Sequence, residues 1–150
     1  LYYVGADMKI RRYLEESPLC ILERAHRQAL ARIQEALAPY GLGLIQGLVL
    51  VAINTEKRQV GPSELAHVFG TSKAAMGQTL TRLEELGYIQ RSISPKDARR
   101  TLISVTPGQR PQVQRLMNAF HRLQVRDEEI LGAEGIRSLQ ENLQRLADRS

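Results

Sequence analysis

The stretch that decides the fold is residues 62–107, which read PSELAHVFGTSKAAMGQTLTRLEELGYIQRSISPKDARRTLISVTP. A proline and then a glutamate open it, and both suit the N-terminus of a helix. Gly70 ends that helix, and Ser72 is placed to cap a second helix over residues 73–86. The second helix carries apolar residues at helical spacing on one face, namely Met76, Leu80, Leu83 and Leu86. The first half of the stretch therefore predicts a helix-turn-helix.

After Gly87 the period of the apolar residues changes from about 3.6 to 2. Residues 88–93 and 101–105 are short, β-branched and alternating, which predicts two strands. Residues 94–100, SPKDARR, form a turn-rich tip between them and carry three cations against one carboxylate. A helix-turn-helix followed at once by a basic hairpin predicts a winged helix.

The outer face of the second helix is small, uncharged or basic, with no acidic residue before Glu84. Such a face can lie in a DNA major groove without repelling phosphates. A glutamine pairs bidentately with adenine, an arginine or lysine with guanine, and an alanine contacts the thymine methyl. A serine at the helix N-terminus suits a phosphate. We therefore predict DNA contacts by Ser72, Lys73, Ala74, Gly77, Gln78, Thr81 and Arg82.

The tip of the hairpin predicts a second DNA contact. An arginine presented on a turn suits the minor groove, whose negative potential attracts it. Asp97 lies two residues from Arg99 and is spaced to hold its guanidinium in a fixed pose. The predicted contacts of the hairpin are Arg91, Lys96, Arg99 and Arg100, with Asp97 as the orienting partner.

The rest of the chain predicts helices on both sides of this stretch, over about residues 7–16, 18–39, 44–55, 113–132 and 136–146. Residues 56–61 read as a polar connector. The terminal helices have apolar stripes that one small lobe cannot cover, so a second copy of the chain is expected to cover them. The predicted class is mainly α with a small β-wing. We expect residues 1–150 to form one domain, with a winged lobe at about 56–107 and dimerisation helices at about 17–55 and 108–148.

Three segments resemble the MarR family of bacterial regulators: SELA at residues 63–66, LEELGYI at 83–89, and SPKDARR with VTPG at 94–108. The resemblance covers residues 17–148 and departs at Ser94, where an aspartate is usual, and at Leu44. It implies a homodimeric transcription regulator that binds double-stranded DNA at an inverted repeat. It further implies a repressor that a small aromatic or phenolic ligand or an oxidant releases, and a minor-groove role for Arg99.

Composition narrows the classes of function. The chain has 150 residues, a net charge of +5 and a single cysteine. A basic balance favours nucleic acid as a partner, and one cysteine fits the reducing cytoplasm. No apolar run reaches the roughly 20 residues that span a bilayer, so we expect a cytoplasmic, nucleoid-associated protein. The three histidines lack a ligand partner at metal-binding spacing, and no catalytic arrangement stands out, so we expect no metal, no cofactor and no enzyme.

Two residues are candidates for sensing a signal. Cys20 falls in the first turn of the helix that starts at Pro18, where the dipole favours a thiolate, and this opening resembles the hydroperoxide-sensing MarR branch. The alternative is that Cys20 packs as a small hydrophobe. His26 faces the region that resembles the family's effector pocket. A second class of function also stays open, a winged-helix protein-interaction module without DNA binding.

Overall fold

The computed structural model describes residues 9–56 and 58–148. Within these ranges the chain forms six α-helices and one two-stranded antiparallel sheet. The elements in order are α1 (Lys9–Glu16), α2 (Pro18–Leu37), α3 (Leu44–Thr55), α4 (Pro62–Val68), α5 (Lys73–Glu85), β1 (Ile89–Ser94), β2 (Asp97–Val105) and α6 (Arg110–Ala147). The predicted class, mainly α with a small β-wing, is confirmed. The predicted start of the first helix at Asp7 lies outside the described residues.

One apolar face of α5 packs into the core and fixes the helix-turn-helix in place. Met76, Leu80 and Leu83 are at most 1% exposed, as their helical spacing predicts. They join a single core cluster with α3, α4, the hairpin and the start of α6. Burying an aliphatic side chain of this size contributes about 1.5–3 kcal/mol. This packing fixes the orientation of α5, so its opposite face points to solvent.

A tight helix crossing leads from α2 into the core. A 3-10 turn, Ala38–Tyr40, ends α2, and Gly41 follows with φ of +65°, a left-handed conformation that favours glycine. In α3, Gly47 is buried, and a Cβ added there would lie 2.2 Å from a methyl carbon of Leu37.

No single helix of the described residues is long and apolar enough to cross a membrane. Pro18–Tyr40 and Leu44–Thr55 meet that criterion only as a pair, bent by 74°.

The segment predicted as a polar connector contains a short strand-like pairing. Val60 is buried and forms an isolated antiparallel bridge with Ile103 of β2. Its N–H donates to the Ile103 carbonyl at 3.2 Å, and the Ile103 N–H donates back at 2.7 Å. The segment predicted as a polar connector thus includes one buried apolar residue, Val60, that pairs with β2. This bridge ties the start of α4 to the hairpin.

The C-terminal region was predicted as two helices separated near Gly132. The structure has one long element, α6, in which Gly132 alone has non-helical angles (φ 69°, ψ 168°). That region of conformational space is accessible essentially only to glycine. The predicted break is thus present as a kink between two helical halves.

Candidate nucleic-acid interface

The N-terminus of α5 is capped as predicted. The Oγ atom of Ser72 accepts a hydrogen bond from the Ala75 N–H at 3.1 Å. Ser72 and Lys73 are both exposed. The hydroxyl hydrogen of Ser72 is left to donate, and unpaired backbone N–H groups of the first turn lie beside it. This end of the helix can therefore bind an anion such as a phosphate.

The outer face of α5 is open along its length. Lys73, Ala74, Gln78, Thr81 and Arg82 are exposed, and Gly77 is half-buried. A Cβ added at Gly77 would meet nothing within 4 Å. Arg82 forms a surface ion pair with Glu85 at 3.2 Å, a weak contact that a phosphate can replace. The predicted recognition residues on this helix therefore share one accessible surface.

The first strand of the hairpin is tied to α5 through Arg91. Its Nε lies 2.9 Å from a carboxylate oxygen of Glu84, and its Nη2 donates to the Thr81 Oγ1 at 3.2 Å. Sequence reasoning named Arg91 and Thr81 as separate DNA contacts and gave Glu84 no role. The three-residue spacing of Thr81 and Glu84 on a helix was the signal that could have found it.

The hairpin extends further than its sequence indicates. Residues 97–100, predicted in the tip, belong to β2, which leaves a two-residue turn. Ile93 pairs with Thr101 and Ser94 pairs with Asp97, so residues 98–100 have no partner in the register. A bulge of this kind bends a strand and re-aims its side chains. Arg99 and Arg100 are exposed on this bulge, and Lys96 is exposed in the turn.

The contact between Asp97 and Arg99 differs from the predicted one. A carboxylate oxygen of Asp97 accepts a hydrogen bond from the backbone N–H of Arg99 at 3.0 Å. We expected the carboxylate to hold the guanidinium, and this expectation was wrong. A carboxylate two residues before an N–H forms a local turn of this kind readily. Asp97 therefore shapes the backbone that presents the exposed Arg99 side chain.

A further set of contacts joins residues before α4 to α4 and to the hairpin, and the sequence analysis did not predict it. Arg58 forms a bidentate pair with Glu64, in which its Nη1 donates at 3.1 Å and its Nη2 makes a second contact. The hydrogen bond from Arg58 lowers the pKa of the Glu64 carboxyl below its ordinary value. The neighbouring Gln59 donates to the Ser92 Oγ at 3.0 Å. These contacts fix the base of the hairpin against the helix-turn-helix.

Two cavities lie away from this surface. One, of about 200 Å³, lies between α2, α3 and α6 and is lined by Ala29, Arg32, Ile33, Leu48, Phe120, Leu123, Gln124 and Asp127. The other, of about 500 Å³, lies between α2 and the part of α6 on both sides of Gly132, and it includes His26. Arg32 and Asp127 form an ion pair at 2.8 Å and line both cavities. His26 therefore borders the 500 Å³ cavity and not the 200 Å³ cavity.

Cys20 lies in the first turn of α2, as expected, and is half-buried. Ser17 occupies the N-cap position, but its side chain makes no capping hydrogen bond. In the described part of the chain, no group of three or more His, Cys, Asp or Glu side chains is arranged to hold a metal ion.

Comparisons with known proteins agree with this geometry. Residues 40–100 match the sequence profile of the MarR family, and no curated protein sequence matches the chain. A probable transcriptional regulator from Pseudomonas aeruginosa is 26% identical, with a TM-score of 0.73 over 89% of this chain and 98% of that one.

Two DNA-bound structures are also similar. The transcriptional repressor CouR, bound to a 23-mer duplex, is 24% identical, with a TM-score of 0.77 over 96% of this chain and 99% of that one. A mutant MarR from E. coli, complexed with operator DNA, is 24% identical, with a TM-score of 0.72 over 89% and 96%. At these identities the two structures establish the fold.

Proposed function

We propose that this winged helix-turn-helix protein of the MarR family is a transcription regulator that binds double-stranded DNA, with α5 in the major groove and the hairpin in the minor groove. The observation that carries this is the exposed face of α5, which is free of carboxylates up to Glu84 and is held rigid by the buried opposite face. An α-helix fits the major groove, and a capped N-terminus can bind phosphate beside it.

The hairpin supplies the second half of the proposed contact. Lys96, Arg99 and Arg100 are exposed at its end, and the Arg91 contacts keep β1 beside α5. Cations at a strand end can reach the phosphates and the minor groove next to the major groove that α5 occupies. The similar folds of two DNA-bound proteins support this placement.

We further propose that the regulator acts as a homodimer on an inverted repeat. Apolar side chains stay exposed on α1, the start of α2 and the part of α6 around and after Gly132, among them Ile10 (67%), Leu19 (72%) and Ile130 (71%). A second copy packed about a two-fold axis would cover them. Two recognition helices would then enter successive major grooves about 34 Å apart.

The proposed signal that releases DNA is a small ligand or an oxidant, and the protein is then a repressor. A ligand in the 200 Å³ cavity would contact α2, α3 and α6 together and would act by favouring a spacing of the α5 helices that misses successive grooves. Peroxide treatment of wild type and Cys20→Ser tests the oxidant. Equal, peroxide-insensitive DNA binding by both would assign Cys20 to packing.

A salt titration tests the proposed function directly. The probe is a duplex selected from a random pool by the protein, and its affinity is measured between about 50 and 200 mM salt. Phosphate contacts release counterions, so log affinity should fall linearly and steeply with log salt. A chain that binds no duplex at any salt concentration, or that captures a partner protein without DNA, contradicts the proposal.

A further inference from the structure

Arg91 bridges two residues of α5 that lie one turn apart. Its guanidinium contacts Glu84 through Nε at 2.9 Å and Thr81 through Nη2 at 3.2 Å. The Arg91 and Glu84 side chains are 34% and 43% exposed, so solvent does not fully screen the pair. Thr81 is exposed on the face proposed to enter the major groove. The three residues are called the Glu84–Arg91–Thr81 clamp below.

The clamp restricts what the Thr81 hydroxyl can do. A hydroxyl has one hydrogen to donate and two lone pairs that accept. Arg91 occupies one lone pair and places a positive charge beside the oxygen, which repels a second donor. The hydroxyl hydrogen turns away from the guanidinium and is left to donate. Thr81 therefore faces the groove as a donor.

The bases differ in what they offer such a donor. In the major groove, guanine N7 and O6, adenine N7 and thymine O4 accept, whereas cytosine presents the N4 donor. We propose that Glu84 is a positioning residue for base selection. It holds Arg91 so that Thr81 donates to an acceptor base and disfavours cytosine, although Glu84 itself does not touch DNA. This inference rests on the proposed function, since it requires α5 in the major groove.

Glu84→Gln tests the role of the carboxylate. Without this charge the Arg91 guanidinium is free to swing to a phosphate, and the Thr81 hydroxyl can then accept as well as donate. Overall affinity should therefore stay equal or rise, while the preference against cytosine at one base position should fall about two- to tenfold, the factor that a single hydrogen bond contributes. A selection from a random duplex pool, followed by sequencing, measures both quantities.

Thr81→Val identifies the base position that Thr81 faces and tests whether Glu84 acts through Thr81. Valine keeps the shape and removes the hydroxyl, so the position that changes in Thr81→Val is the one that Thr81 faces. In the Thr81→Val background, Glu84→Gln should no longer alter the preference there, because the group through which it acts is absent. The matched control is Glu85→Gln, which removes the neighbouring carboxylate that pairs with Arg82 within α5. It should leave the preference at the Thr81 position unchanged.

A measurement on the wild-type protein checks the contact without substitution. The guanidinium protons of Arg91 should exchange with solvent more slowly than those of the exposed Arg115, since Nη2 donates to Thr81 and Nε lies 2.9 Å from the Glu84 carboxylate. Equal exchange rates overturn the inference, and so does an unchanged base preference in a folded Glu84→Gln variant that still binds DNA. A wild-type chain that selects no sequence overturns the proposed function as well, so the two failures are distinguishable.

Discussion

At the scale of single residues, Asp97 sets the backbone shape of the hairpin end and Arg99 supplies a positive charge there. A carboxylate oxygen of Asp97 accepts a hydrogen bond from the Arg99 backbone N–H at 3.0 Å and shapes the bulge. The Arg99 side chain is exposed on that bulge. The two-residue spacing of an acidic and a basic residue also permits a direct ion pair between their side chains, and the sequence analysis predicted that ion pair. Only the backbone geometry distinguishes the two arrangements.

We predict that Arg99→Ala weakens DNA binding without unfolding the protein. The side chain is exposed, so its removal leaves no cavity, whereas the loss of a groove contact costs roughly 1–3 kcal/mol of binding free energy. Lys96→Ala should lower the affinity for all sequences alike and reduce the salt slope by about one. Equilibrium binding and thermal melting measure the two effects. Arg122→Ala, which removes the same charge from the exposed surface of α6, should leave DNA affinity nearly unchanged.

A second prediction at this scale concerns Tyr88, whose hydroxyl donates to the Tyr40 carbonyl at 3.0 Å. Tyr88→Phe should lower the free energy of unfolding by about 0.5–1.5 kcal/mol. Burial raises the pKa of Tyr88 in the folded state. The folded protein thus holds this proton more tightly than the unfolded chain, and stability should fall as the pH rises above about 10. Urea unfolding at pH 7 and at about pH 10.5 should show a smaller alkaline loss in Tyr88→Phe.

At the scale of elements, two helical glycines serve opposite purposes. Gly47 in α3 lies against Leu37, which is fully buried, so an added methyl at 2.2 Å has no room. We predict that Gly47→Ala destabilises the protein by about 1–3 kcal/mol, the typical cost of overpacking, despite the better helix propensity of alanine. Chemical denaturation measures this difference. A variant as stable as wild type would show that α2 and α3 do not approach as described.

Gly77 in α5 is the reverse case. Nothing lies within 4 Å of an added Cβ there, so Gly77→Ala should stabilise the protein by up to about 1 kcal/mol through helix propensity. It also places a methyl on the face proposed to enter the groove, so DNA affinity should fall. A higher melting temperature together with weaker DNA binding is the expected result. Unchanged DNA affinity would indicate that this part of α5 does not approach the bases.

The elements were predictable to different degrees. The buried face of α5 follows from the spacing of Met76, Leu80 and Leu83, because helical periodicity is a local property of the sequence. The Val60 bridge to Ile103 was missed, since a single buried valine carries no period and its partner lies 43 residues away. The Arg91 contacts were missed because they join a strand to a helix, and the spacing of Thr81 and Glu84 on that helix does not by itself name the strand residue that they meet. Side-chain pairing across elements depends on packing that local pattern does not encode.

At the scale of the whole molecule, the two ends of the chain have apolar surfaces that the described residues leave uncovered. Leu139 and Leu143 are 43% and 41% exposed on the second half of α6. They border the groove against Leu22 on α2. The core cluster, by contrast, takes in only the first half of α6, through Val113 and Leu116. The start of α6 thus serves the core, and the part of the helix around and after the kink at Gly132 is left for a partner.

The last prediction is that a second copy of the chain covers this surface. Each leucine that a dimer buries would contribute up to about 1.5–3 kcal/mol, so Leu139→Glu with Leu143→Glu should dissociate the dimer and make the melting temperature independent of protein concentration. Sedimentation should show the mass of two chains for wild type and one for the variant. The variant should bind an inverted repeat no more tightly than a half-site, because only one α5 can then engage.

Val68→Glu is the matched control for this prediction. Val68 is 72% exposed on α4 and belongs to the winged lobe, away from α1 and the second half of α6. This variant should sediment as wild type does, which shows that one added carboxylate at an exposed apolar site does not dissociate the protein by itself. A wild-type chain that stays monomeric at micromolar concentration, with no change on adding DNA, would contradict the dimer. The regulator would then bind a single half-site, and a different partner would have to cover the apolar surfaces at the two ends of the chain.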